Sequence, residues 1–158
     1  NYQGLASDGT QTFGVNHNGT IFTTSGLALG GTGAANTLDD YETGTFSPTV
    51  AGSSGLSTLT GYYVKIGNIV HVAYYSSSYT ATAVGATVGN LPFTAATNGS
   101  VHYPFITSHN NWTPNSNGGY IGPNTNYARL IADGTLNTAI GVAGYPKYVM
   151  INATYAVA

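Results

Sequence analysis

Charged side chains are almost missing from this chain, and that shortage narrows the folds open to it more than any motif does. Only three of its 158 residues are Lys or Arg and five are Asp or Glu. That is 5% of the chain, against roughly 25% in an ordinary globular domain. The water-facing side of a long helix is built largely from Glu, Lys, Arg and Gln, so long helices are disfavoured. The Thr, Val, Tyr and Ile that are plentiful instead favour strands. Disorder does not follow, because disordered chains combine low hydrophobicity with high net charge and few aromatics. Here hydrophobic residues make up 42% and the net charge is −2. The length suits one ordinary domain with a short appendage.

The same shortage limits the partners. The basic side chains are Lys65, Arg129 and Lys147, too scattered to release counterions from a phosphate backbone. Nucleic acid and anionic membrane surfaces are therefore not expected. No apolar run approaches the ~20 residues of a membrane-spanning helix, so insertion into a membrane is not expected either. Without cysteine the chain has neither disulfides nor zinc–thiolate sites, and no cofactor is expected. The opening at Asn1 lacks a signal-peptide pattern and falls in mid-pattern, as in a piece of something longer.

Turn signals divide the chain at about residue 37. Asp8-Gly9-Thr10-Gln11-Thr12-Phe13 is echoed ten residues later by Asn18-Gly19-Thr20-Ile21-Phe22. Each copy sets a D-G or N-G turn before a short alternating strand, a strong hairpin signal. Two such hairpins bury too little to stand alone, and make sense if three chains share a thin core; an ordinary meander is the plainer alternative. Residues 25–37 are small and flexible, a linker by composition. From Leu38 the punctuation is that of a β-sandwich or jelly roll. Candidate strands are Thr45–Val50, Leu59–Ile66, Ile69–Ser76, Ala83–Val88, Val101–Thr107, Gly119–Ile121, Ala128–Asp133, Ala139–Val142 and Tyr148–Ala156. Gly67-Asn68 reads as a tight turn. Ile69, His71, Ala73 and Tyr75 share one face of their strand and Val70, Val72 and Tyr74 the other. Both faces are fairly apolar, so this strand belongs at the centre of a sheet or at a subunit contact. Residues 107–126, rich in Asn, Gly, Ser and Pro, read as a long exposed loop, and such loops usually have a function.

Three segments resemble one family. Leu38-Asp39-Asp40-Tyr41-Glu42-Thr43-Gly44-Thr45-Phe46-Ser47-Pro48-Thr49, reached through Gly30–Asn36, is similar to a shaft-to-knob junction. Gly61-Tyr62-Tyr63-Val64-Lys65-Ile66-Gly67-Asn68-Ile69-Val70 and Gly89-Asn90-Leu91-Pro92-Phe93 are similar to the strand pair and turn that follow it. The family is that of the C-terminal domains of bacteriophage tail fibres and tailspikes. The likeness covers roughly residues 28–95, with Phe46 where Trp is common and Thr43 where Glu is common. It implies an all-β, antiparallel β-sandwich or jelly-roll-like knob (38–158) behind a short β-hairpin shaft (1–37), homotrimeric and exposed on the virion. It also implies adhesion to the host surface, without naming the receptor.

Asp39, Asp40 and Glu42 are the clustered carboxylates, and two carboxyls about 5–10 Å apart across a cleft are what a glycosidase needs. They are read instead as turn caps at the junction, with a hard cation such as Ca²⁺ a lesser alternative. His17, His71, His102 and His109 show no metal-site spacing, although His71 from three chains could ring an axis. Neither a metal nor a catalytic residue is assigned. The best candidate for recognition is an aromatic and amide set: His109, Asn110, Asn111, Trp112, Tyr120, Tyr127 and Arg129. A sugar presents apolar C–H faces ringed by hydroxyls, so aromatic plates beside short amides suit it. A neutral glycan also needs little charge at its site. The alternative is that Trp112 pins its own loop while the asparagines make local turns. The expected function is thus host adhesion by a fibre tip through a cell-surface glycan or outer-membrane component. The rivals are a purely structural trimerisation knob and an accessory domain of a polysaccharide depolymerase.

Overall fold

The computed structural model describes residues 2–5, 8–9, 11–15, 17–23, 27–28, 37–38, 40–50, 53–54, 60–81, 87–110, 117–132, 135–136 and 146–158. These residues contain strands and turns and no helix, as the shortage of helix-forming side chains dictates. The chain divides into two compact units, 1–41 and 42–158.

In the first unit, β1 (Tyr2–Leu5), β2 (Gln11–Val15) and β3 (Ile21–Thr23) form an antiparallel meander. Its turns fall where the two echoed motifs put them. Gly9 and Gly19 sit at φ 81° and 82°, a region that costs any other residue about 1 kcal/mol or more. Register places Phe13, Val15 and Ile21 on one face, and Ile21 is 60% exposed there. A second ladder joins β4 (Leu27–Ala28) to β5 (Thr37–Leu38). The stretch expected to be a bare linker therefore pairs its two ends.

The second unit is one curled sheet of eleven strands. It uses β6 (Tyr41–Phe46), β7 (Thr49–Val50), β8 (Ser53–Ser54), β9 (Gly61–Ile66), β10 (Ile69–Ala81) and β11 (Thr87–Gly89). It continues with β12 (Tyr103–Asn110), β13 (Gly118–Ile121), β14 (Ala128–Ala132), β15 (Thr135–Leu136) and β16 (Pro146–Ala156). The hydrogen-bonded path runs β6-β9-β10-β16-β12-β13-β14-β11-β7, with β8 and β15 as branches on β10 and β14. From β9 to β7 neighbours are antiparallel. β10 lies inside the sheet between β9 and β16, one of the two placements expected from its apolar faces.

One expected strand is broken, and the break explains the curl. Residues 45–50 do not form a single strand: Ser47-Pro48 divides them into β6 and β7, which lie at opposite ends of the path. Pro48 has no N–H to give to a ladder. Phe46 and Thr49 are three Cα–Cα steps apart, at most about 11 Å. A nine-strand path whose end strands are this close has to bend round on itself. Asn90 holds the seam: it stands at φ 61°, and its Nδ2 donates to the Ser47 carbonyl at 2.7 Å.

Alternation then selects the interior. Val70, Val72 and Tyr74 of β10 face Val149, Ile151, Ala153 and Tyr155 of β16, with Phe105, Ile121, Ala128 and Leu130 behind them. Segment 90–96 crosses one end of this core. Leu91 and Ala95 are buried, and the Tyr155 hydroxyl donates to the Phe93 carbonyl at 3.1 Å. Burial pushes the Tyr155 hydroxyl up to about 12. Two glycines of the recognisable segments seat aromatic rings from the neighbouring strand. Tyr63 lies over Gly44, and Phe46 over Gly61, so closely that a Cβ at either glycine would collide. Tyr63 in turn meets Phe93 edge-on at 5.2 Å. These segments build one corner of the core.

Candidate functional site

β13 and β14 are drawn unusually close because Gly119 has no side chain; a Cβ there would run into the Arg129 carbonyl and the Phe105 ring. Their register sets Tyr120 opposite Arg129, and Pro104 of β12 opposite Tyr120. Ile121, Ala128 and Leu130 are buried, so by alternation Tyr120 and Arg129 point to the outer face. Between the strands, Gly122–Tyr127 forms a clamped turn. Asn124 takes φ 54° and its N–H donates to the Ala95 carbonyl, while Leu91 N–H donates to Asn126. Thr125 Oγ1 donates to the Gly122 carbonyl at 2.7 Å.

A shallow cleft of ≈ 260 Å³ results, lined by His102, Tyr120, Pro123, Thr125, Tyr127 and Arg129 among others. Arg129 Nη2 donates to the Tyr127 hydroxyl at 2.8 Å, and the guanidinium carbon is 5.2 Å from that ring's centre. The bond to Tyr127 raises the Arg129 pKa above its ordinary value, so the cation is permanent. His102 meets Tyr120 edge-on, ring centres 4.8 Å apart. Its Nδ1 lies 2.8 Å from the Ser100 carbonyl. A carbonyl only accepts, so Nδ1 carries a proton, and Nε2 is the acceptor of the neutral ring. The cleft thus offers aromatic plates, a hydroxyl, a ring acceptor and a fixed cation, all on clamped backbone.

Of the residues singled out from sequence, Tyr120, Tyr127 and Arg129 come together here. His109 and Asn110 do not. They were expected in a loop, but β12 runs through both, paired with Met150 and Val149. His109 lies five positions along β12 from Pro104, the partner of Tyr120, roughly 16 Å at strand rise. A strand was hidden there because Thr107-Ser108-His109-Asn110 is polar throughout, and such a run reads as loop. Asn111 and Trp112 lie outside the described residues. Sequence reasoning missed His102, Pro123 and Thr125 as lining residues. No signal in the sequence pointed to His102: it is the pairing of Tyr103 with Ile121 that carries the residue before β12 to the Tyr120 end of the site.

The other constellations point elsewhere. Asp39 lies outside the described residues, and Glu42 is half-buried on β6. Among the described residues no three His or acidic side chains gather into a cation-binding group. His17 occupies an exposed turn. His71 Nδ1 shares a hydrogen bond with Thr154 Oγ1 at 3.0 Å across β10 and β16. A larger groove, ≈ 370 Å³, runs over the outer face of the central ladder between Tyr62, Tyr75, Met150 and Asn152. It offers apolar area and few polar groups, and Ser108 Oγ is already bonded to Met150 Sδ at 3.2 Å. That balance suits packing against protein better than holding a hydroxyl-rich ligand. Compared with known proteins, the chain matches no family model, no curated protein and no solved structure.

Proposed function

We propose that this chain is the tip of a bacteriophage tail fibre or tailspike, exposed on the virion and adhering to a saccharide on the host cell surface. In this reading the curled sheet is a sandwich- or jelly-roll-like knob behind a short hairpin shaft, and three copies assemble about one axis. The observation that carries adhesion is the clamped cleft, in which Tyr120, Tyr127 and Arg129 converge with His102. Aromatic rings take the C–H face of a sugar while hydroxyl, guanidinium and imidazole take its oxygens. Three weak sites per tip raise avidity without tight binding at any one of them. Assembly is supported by apolar side chains left in water on a single chain. Ile21 is one on the first unit; Tyr62 and Ile106 on the second are 63% and 72% exposed.

The test is to replace Tyr120 and Tyr127 by Ala together, then measure adsorption to host cells and mass by light scattering. The expected outcome is a trimer of unchanged mass whose adsorption falls by about tenfold or more. Unchanged adsorption by intact trimers would sink the adhesive reading of this cleft. It would favour the second reading, a structural trimerisation knob. One observation favours that reading: Gly44, Phe46, Gly61, Tyr63 and Phe93 of the recognisable segments all serve packing.

A further inference from the structure

We infer that the cleft selects an acidic sugar, one that carries a single carboxylate for Arg129 to bind. This rests on the saccharide-binding reading and departs from the neutral glycan that composition suggests. The chain holds three basic side chains in all, and one of them stands in this cleft. Among the described residues no carboxylate pairs with Arg129; its charge is met by the hydroxyls of Tyr127 and Tyr120 and by the adjacent Tyr127 ring. A guanidinium has five N–H donors in a planar fork; the Tyr127 bond and the contact to the Tyr120 hydroxyl use at most two. The remaining fork matches a carboxylate two oxygens at a time, which a neutral hydroxyl does not do.

The ligand's charge follows from the same inventory. One cation balances one carboxylate, whereas a phosphate monoester brings about −1.5 to −2 at neutral pH and would leave charge unmatched beside the Tyr120 and Tyr127 rings. The volume of ≈ 260 Å³ is below the ~300–1,000 Å³ of drug-sized pockets, so the cleft grips one sugar unit and leaves the rest of a polymer outside. His102 Nε2 and Thr125 line the same cleft and supply partners for that unit's hydroxyls.

Saturation-transfer NMR on the whole chain tests this with methyl glucuronide, methyl galacturonide and N-acetylneuraminate against methyl glucoside, methyl galactoside and glucose 6-phosphate. At least one carboxylated sugar should bind about tenfold or more tightly than its neutral counterpart, as expected for a charge-assisted bond. Arg129→Gln should abolish that preference, the acidic sugar then binding no more tightly than its neutral counterpart. Arg129→Lys should keep part of it, the charge without the fork. Near-UV circular dichroism shows whether each variant retains the fold, and competition by the acidic sugar on wild-type chain tests the proposal if Gln does not. Equal binding of acidic and neutral sugars overturns the acidic selection and leaves the saccharide reading standing. Preferential binding of glucose 6-phosphate overturns the carboxylate. If no sugar binds the wild-type chain, the saccharide reading itself fails and this inference falls with it.

Discussion

The first unit turns its strands at Asp8-Gly9 and Asn18-Gly19, and the second turns β9 into β10 at Gly67-Asn68, each with glycine at positive φ. Beneath those turns the two differ. Residues 1–41 put three short strands in a row and leave Ile21 and Leu5 each 60% exposed. Residues 42–158 bend a long path back on itself and enclose Val70, Leu130, Val149 and Tyr155 almost completely. Good turn chemistry sets register in both, but among the described residues only the second encloses an apolar core. Turn signals therefore specify a hairpin; stability comes from what the hairpin covers.

The largest expected effects separate the units by mutation. Leu130→Ala should cost about 2–5 kcal/mol in urea unfolding, as buried leucines do. Ile21→Ala should cost within about 0.5 kcal/mol if its face meets water. A cost above about 1.5 kcal/mol at Ile21 would erase the contrast and place that face under another chain, as the trimer requires.

A smaller effect appears at high pH and belongs to the second unit alone. Tyr155 has a folded value near 12 against 10.0 for an ordinary tyrosine. The unfolded chain thus loses this proton first. Stability held below pH 10 should fall as pH rises from 10 towards 12, by roughly 2–3 kcal/mol for a two-unit shift. Thermal melts of wild type and Tyr155→Phe across that window check it. The variant starts about 1 kcal/mol lower, having lost the bond to Phe93, and should show a shallower decline. Parallel slopes would show that Tyr155 ionises as freely folded as unfolded.

The smallest effect compares turn with seam. Gly9→Ala meets no atom within 4 Å, so its cost is conformational, about 1 kcal/mol. Asn90→Ala should cost more, about 1–2 kcal/mol, because the Nδ2 bond to Ser47 goes as well. Asn90→Gly, which keeps the conformation and loses the bond, should fall between wild type and Ala in the same melts.

Much of the strand content was legible because it rests on period and punctuation. Val70, Val72 and Tyr74 alternate cleanly, and Gly67-Asn68 is a two-residue turn in sequence and in space. The path of the sheet was not legible. Thr45–Val50 reads as one strand until Pro48 is recognised as a strand-to-strand crossing, and nothing local says that β6 and β7 end up at opposite edges. The candidate site was half legible for the same reason. Tyr120, Tyr127 and Arg129 are near in sequence. His102 reaches them only through the β12–β13 register, and Gly119 matters only because two backbones approach there.

The order of strands has a consequence for how the molecule comes into being. β16 lies between β10 and β12, pairing Ile69 with Ala156, so among the described residues the middle of the sheet is supplied by the strand that comes latest along the chain. Until Pro146–Ala156 emerges, β6-β9-β10 and β12-β13-β14-β11-β7 are two ladders with nothing to join them across the gap. Pairings so distant along the chain form slowly. During synthesis the flanks of β10 and β12 are open strand edges, the kind that captures other chains. The nascent sheet is therefore most prone to mispairing in the interval before β16 has been made.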